Sequence, residues 1–387
     1  MEKQKVLICI DWFLPAYKAG GPIQSIANLV NHTKTEFDYY IATSNSDLDS
    51  PLSLPEEALN VWSEKDGFKV VYLDPAHQTL KYYKQLFIKE AFDVVYFNSL
   101  FSQKFTLLPL MLFKNLNIRK VLAPRGMLGK GALEIKPLKK KIFLTLFKVL
   151  GLQKKVVWHV TAESEAFEVY THFGKGCNVL LAPNLSAKAK QKIEPKEKRV
   201  NELNVFFLSR IAVKKNLGEA INYLAEIKNL YNVSFSIIGP KDEMEYWQDC
   251  EIKIKQLPKN ISVKYLGAIP HQDISKKLIN QHILLLPTQH ENFGHVIMES
   301  WQNGCPVVIS DQTPWQGLEK DKLGFNIPLT KKNEFIAAIE LFCAMNKDEY
   351  HTWSNASVNF SKKFTENPEL IEQNKALFLN TLNNYYK

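Results

Sequence analysis

The sequence predicts an α/β protein made of two units, each a parallel sheet covered by helices, and three observations carry that prediction. Short apolar runs alternate with segments of helical period along the chain. The alternation is interrupted once, by a polar, lysine-rich stretch at residues 186–200 that contains Pro195 and no apolar period. The 387 residues, 45% of them apolar, suffice for two cores of ordinary size.

In the first series, strands are expected at residues 5–10, 38–43, 69–73, 93–98, 120–123 and 156–161, with helices between them, for example at 22–32 and 78–91. Such alternation feeds a parallel sheet with helices on both faces. A second series follows at 204–209, 234–238, 263–266, 283–287 and 306–310. The expected organisation is a Rossmann-like N-terminal domain at residues 1–185, a linker at 186–200 and a second Rossmann-like domain at 201–349. The rest of the chain reads as helical, with Trp353, Phe360, Leu377 and Leu382 as anchors.

The net charge of +9 is unevenly placed. Residues 101–160 hold thirteen Lys or Arg against the single acid Glu134, which leaves the remainder of the chain slightly acidic. Within that block, Leu138, Ile142, Leu146 and Val149 fall on one helical stripe, widened by Phe143, Phe147 and Leu150, among Lys136, Lys139, Lys140 and Lys141. Two readings fit a basic amphipathic helix: contact with an anionic membrane surface, or a surface helix whose apolar stripe faces the core. Both are expected in part. Nucleic acid is not an expected partner, because the block lacks interleaved aromatics and any nucleic-acid motif.

No apolar run is long enough to span a bilayer, and Val6-Leu-Ile-Cys-Ile10 reads as a first strand rather than a signal peptide. A cytoplasmic protein is expected, peripheral on the inner face of the membrane if the basic helix meets lipid. The five cysteines form no C-x-x-C pair, so neither a disulfide framework nor a zinc site is suggested.

The densest chemistry lies at Glu291-Asn-Phe-Gly-His-Val-Ile-Met-Glu299. It follows the apolar run at 282–287 and continues at helical spacing through Ser300 and Trp301, so it reads as a strand–loop–helix corner. The free N–H groups and positive dipole end of the helix suit a diphosphate, and Gly294 lets that backbone come close. Eight helical residues span about 12 Å, enough for the two carboxylates to hold separate parts of one elongated ligand, a sugar and a ribose. Either Glu alone would be an ordinary dipole partner or a solvated face residue. A second buried strand, Gly304-Cys-Pro-Val-Val-Ile-Ser310, closes a βαβ unit behind it. Arg210 and Lys215 follow the first strand of the second series, where an open α/β sheet binds anions. After the first strand of the chain, Gly20 and Gly21 followed by Pro22 make a loop ending in a helix N-terminus. It lacks the G-x-G-x-x-G dinucleotide fingerprint.

The E-x7-E spacing of Glu291 and Glu299, with the Gly304-Cys-Pro-Val strand after it, resembles the signature of the family 4 retaining glycosyltransferases (glycosyl transferases group 1), and Arg210 and Lys215 match that family's R-x4-K element. The resemblance implies the GT-B fold, two Rossmann-like domains with a cleft between them and a C-terminal helix at about 350–387 packing back on the first domain. It implies a metal-independent, retaining hexosyltransferase that moves a sugar from a UDP- or GDP-linked donor to a glycan or polyprenyl-linked acceptor in bacterial surface polysaccharide biosynthesis, with no cofactor. Donor-binding positions would be Gly20, Gly21, Phe293, Gly294, His295 and Glu299, and catalytic ones Glu291, Arg210, Lys215 and Asn98.

Asn98 stands where many relatives carry a sugar-contacting His, so the leaving phosphate would take the acceptor proton. His159 is a candidate substitute, or a structural strand-end residue. Arg125, in a loop resembling a family segment on the acceptor side, would hold an acidic acceptor or serve packing. Trp315 would stack on a sugar or plug the domain, and Asp47-Leu-Asp49 is a formal metal-binding D-x-D in an unsuitable loop. Rival expectations are a transferase with a soluble acceptor such as a sugar phosphate, and a non-catalytic two-domain sugar-binding protein.

Overall fold

The strands form where apolar residues run continuously, because each sheet is covered on both faces. The computed structural model of the protein describes residues 3–48, 50–188 and 194–379. The chain divides into two compact units, Met1–Ala187 with Asn367–Lys387, and Lys188–Glu366.

In the first unit the strands are β1 (Gln4–Cys9), β2 (Phe37–Ser44), β3 (Ser63–Lys65), β4 (Phe68–Leu73), β5 (Val94–Phe97), β6 (Arg119–Leu122), β7 (Val157–Val160) and β8 (Asn178–Leu181). They lie in the order β8-β7-β6-β5-β1-β2-β4-β3, parallel except for β3. Alternation along each strand sorts the core: Val6, Ile8, Ile41 and Tyr96 join one buried cluster, while Leu7, Cys9, Ala42 and Phe97 join the cluster on the opposite face. The second unit holds β9 (Glu202–Leu208), β10 (Asn232–Ile238), β11 (Ile261–Gly267), β12 (Ile283–Leu286), β13 (Val307–Ser310) and β14 (Gly324–Ile327), all parallel in the order β11-β10-β9-β12-β13-β14. Every residue of β12 and β13 is buried.

All eleven strands expected from the sequence are present within about two residues. The strands it missed include β3, β8 and β14, which close the sheet edges and carry exposed or half-exposed positions instead of a continuous apolar run. Two boundaries move. Within residues 194–200, otherwise exposed, Lys196 and Lys198 are each 5% exposed and tie the segment to the second unit. Lys196 donates to the carbonyls of Leu278 and Ile279 at 2.6 and 3.0 Å, and Lys198 to those of Arg199, Cys343 and Met345. Both ammonium groups cap helix C-termini, satisfying carbonyls that have no partner inside the helix.

The helix Lys347–Thr365 belongs to the second unit, so the crossing to the first lies near Asn367 rather than at residue 350. Tyr350 donates to the carbonyls of His282 and Gly304, and the expected anchors Trp353 and Phe360 pack on Phe325 and Trp301 of that same unit. The following helix, Pro368–Ala376, joins the first unit. There Arg119 donates to the carbonyl of Leu377 at 2.6 Å, and Phe378 packs edge-on against Phe37, Tyr39 and Tyr96. Leu382 lies outside the described residues.

Candidate active site

In the second sheet the chain builds outward from β9 through β10 to β11, then returns to place β12, β13 and β14 on the other side. Connections therefore leave β9 and β12 in opposite directions, and the crevice at their carboxyl ends is where open α/β sheets bind ligands. The expected motifs converge there. Lys215, in a 3-10 turn after β9, makes an ion pair with Glu291, which follows β12; their side chains are 15% and 13% exposed. The two loops are braced independently of the charges, since Gln289 N–H and the Thr288 hydroxyl both donate to the Lys214 carbonyl, at 2.8 and 3.2 Å. The positive field is concentrated there: burial first, then Lys215 and Arg210, lower the pKa of Lys214, and burial followed by Lys214 lowers that of His290.

Glu291 lies in the loop ahead of the helix, its N–H donating to the Gln312 carbonyl at 2.9 Å, so the two carboxylates are not on one continuous helix. The helix His295–Gln302 begins after Gly294, whose φ of 76° is left-handed and whose added Cβ would stand 2.8 Å from Ile297 Cδ1. Only glycine enters this turn without strain. Its N-cap, Gly294, has no side chain to offer the free N–H groups. One helical turn beyond the first, Glu299 Oε1 bonds His271 Nε2 at 2.9 Å, while Oε2 is buried with no hydrogen-bond partner among the described residues. His271 was not read from the sequence; its signal was Pro270, a helix-start residue immediately before it.

Arg210, Phe293 and Trp315 contact other protein groups. Arg210 pairs with Asp242 after β10 at 2.7 Å and is 43% exposed, so it stands one strand away from the Lys215–Glu291 pair. The Phe293 ring is packed against His295, Trp315 and Phe364, and its carbonyl accepts from Trp315 Nε1. Trp315 is likewise held edge-on by Trp301 and Phe360. Both aromatics build the floor beneath the loop.

The first sheet reverses between β1 and β5. Gly20, with φ 71°, is the N-cap of the helix Gly21–Thr33. Its loop is tied down by Asp47, 4% exposed, whose carboxylate accepts from the N–H groups of Tyr17 and Lys18 at 2.9 and 3.2 Å. Asp47 thus braces this loop; Asp49 lies outside the described residues. Asp11, directly after β1, accepts from the Ser102 hydroxyl at 2.7 Å, and burial raises its pKa. Spacing did not single it out.

Asn98, 2% exposed, and Arg125 form one buried network. Arg125 donates from Nε to Asn98 Oδ1 at 2.7 Å, from Nη1 to Asn184 Oδ1 at 2.6 Å and from Nη2 to the Tyr96 hydroxyl at 2.8 Å. His159 fixes the direction of the rest. Its Nε2 faces the Ala182 carbonyl at 2.8 Å and must donate, so Nδ1 accepts from the Tyr96 hydroxyl at 2.7 Å. With both ring nitrogens engaged and 2% exposure, His159 is a structural residue and not a substitute base. Arg125 holds protein groups by three of its donors. It has a left-handed φ of 55°.

Burial pushes His159 down to about 3, and burial also pushes His282, which accepts from Asn204 N–H and faces the Glu197 carbonyl, down to about 4. In the unfolded chain both take protons below about pH 6.5. Their stabilising contribution is therefore complete above 6.5 and lost as pH falls towards the folded values. Urea midpoints measured at pH 7 and pH 5 should show a loss of about 2 kcal/mol per histidine, and His159→Gln should remove part of that pH dependence; an unchanged profile would contradict the neutral assignment.

Residues 188–359 match the glycosyl transferases group 1 family. An uncharacterized 41.2 kDa protein from a cps region of Klebsiella pneumoniae is 22% identical over 290 residues, covering 70% of this chain and 75% of that one. Sucrose-phosphate synthase from Thermosynechococcus elongatus superposes with a TM-score of 0.72 at 15% identity, over 97% of this chain and 98% of that one. WaaG, a glycosyltransferase involved in lipopolysaccharide biosynthesis, does so with a TM-score of 0.65 at 12% identity, over 96% and 98%. Likeness at such identities speaks for the fold, and the match over residues 188–359 speaks for the family. Residues 188–359 thus carry a glycosyl transferases group 1 domain, and the chain as a whole has the GT-B fold.

Proposed function

We propose that the protein transfers a sugar, with retention of configuration and without a metal, from a UDP- or GDP-sugar to a glycan or lipid-linked acceptor of a bacterial surface polysaccharide. The observation that carries this is the Lys215–Glu291 pair at the strand reversal of the second sheet, beside the N-terminus of the helix that starts at His295. Glu291 takes one of the three Lys215 N–H donors, leaving the others directed to phosphate oxygens. Negative charge grows on the leaving phosphate as the sugar bond breaks, and a cation already in place stabilises that state more than the ground state. Arg210, reached by release from Asp242, supplies a second positive charge. Glu291 holds the sugar through its hydroxyls. The open oxygen of Glu299 accepts from the ribose. In the first unit, Asn98 and Arg125 act as positioning residues that hold the start of the Pro22 helix, through the Asn98 amide and the Pro22 carbonyl.

Titration of the protein with UDP and GDP tests the donor half. One of the two nucleotides is expected to bind, and Glu299→Gln should weaken it about tenfold by removing a charge-assisted acceptor. Failure of both nucleotides to bind would remove the assignment. The anomeric configuration of the product, read by NMR, tests retention.

A further inference from the structure

We propose that the helix Pro137–Val149 docks the protein on an anionic lipid bilayer by inserting a preformed aliphatic ridge. The ridge is the stripe that sequence reasoning allowed to face the core, and it does not. Leu138, Ile142, Leu146 and Val149 are 70, 52, 56 and 77% exposed. The helix is anchored by its other side: Phe147 is 1% exposed and packs on Phe143, Trp158 and Phe173, with ring centroids 5.7 to 6.1 Å apart, and Phe143 meets Phe101 at 5.1 Å. Successive residues turn by about 100°, so the four aliphatic residues share an arc of roughly 80° turned away from the two phenylalanines.

Single exposed apolar residues are ordinary, but a contiguous set marks an interaction surface. Six of the exposed large apolar side chains fall between Ile135 and Leu150. Charge selects the occupant. Lys136, Lys139, Lys141 and Lys148 lie on the same helix or its N-cap, in the block of residues 101–160 whose single acid is Glu134. A second copy meeting this face would oppose lysine to lysine, whereas lipid phosphates complement it. Lys140 is excluded from the contact, because its ammonium bonds the Ala132 carbonyl and lies 5.2 Å from the centre of the Phe101 ring. At 13 residues the helix is about 20 Å long, which suits lying in the interface rather than crossing it. No helix among the described residues is long and apolar enough to cross a membrane.

Co-sedimentation of the full chain with phosphatidylcholine vesicles, with and without phosphatidylglycerol, tests the proposal independently of any catalytic step. Binding is expected only to the anionic vesicles. Each neutralised lysine should weaken it about fivefold, so Lys136→Gln/Lys139→Gln/Lys141→Gln should weaken it about a hundredfold. Leu138→Ser/Ile142→Ser/Leu146→Ser should weaken it more than tenfold, with the thermal midpoint unchanged because these side chains touch no core. Should that variant fail to fold, Leu138→Ser alone and the lysine variant carry the comparison. Absence of wild-type binding, or full binding by a folded serine variant, overturns the proposal. So does a wild-type dimer in light scattering that the serine variant dissolves, since a second copy would then occupy the ridge. Nucleotide binding by all variants should match the wild type, which separates loss of docking from failure of the donor site.

Discussion

Replacing Glu291 by alanine, or Lys215 by methionine, is expected to lower the turnover of sugar transfer by about 10²–10³-fold, with a smaller change in donor affinity. Both side chains are about one-seventh exposed, at 15% and 13%, so water screens them poorly: the Lys215 ammonium acts strongly on a bound diphosphate, and Glu291 orients that ammonium and holds the sugar. Their effects should not add. In Lys215→Met the Glu291 carboxylate remains without its cation and repels the donor, so the further change Glu291→Gln is expected to recover part of the loss. Arg210→Ala should cost less than either, because Arg210 is 43% exposed and already paired with Asp242. Initial-rate kinetics across the donor concentration range separate these cases. Wild-type turnover in both single variants would remove the proposed centre.

The second large effect is structural. Arg125→Ala should destabilise the first unit by about 3 kcal/mol or more, because it strips donors from three buried acceptors at once and each stranded polar group costs about 1 kcal/mol or more. Tyr96 is fully buried, Asn98 2% exposed and Asn184 5% exposed, so all three rely on the guanidinium for these bonds. Arg125→Lys should rescue little, since one ammonium cannot reproduce the planar fork that reaches all three. Thermal unfolding should show a drop of roughly 6–12 °C for a loss of that size. A drop no larger than that of Arg210→Ala would mean the network is slack.

The pattern of buried strands and the converging motifs were legible because they rest on local properties. A strand covered on both faces must be continuously apolar, as in Val6 to Cys9 and Ile283 to Leu286, and one chain shows that directly. The Glu291–Glu299 and Arg210–Lys215 spacings were legible for a related reason: each pair is bounded by a strand end and a turn. What spacing could not supply was the partner of each side chain. That Lys215 meets Glu291 while Arg210 turns to Asp242, and that His159 is locked between Tyr96 and Ala182, depends on strands brought together from distant parts of the chain.

The sequence by itself determined the two parallel-sheet units, the glycine at the turn before His295 and the concentration of lysine between residues 101 and 160. Only the tertiary structure decided which face of the lysine-rich helix is covered, where the chain returns to the first unit, and that Lys196 and Lys198 are buried caps. The physical reason is that a helical period says one face differs from the other, whereas which face is buried depends on what stands opposite. For the helix Pro137–Val149 it was the aromatic cluster of Phe101, Trp158 and Phe173 that took Phe143 and Phe147 and left the aliphatic stripe to the outside.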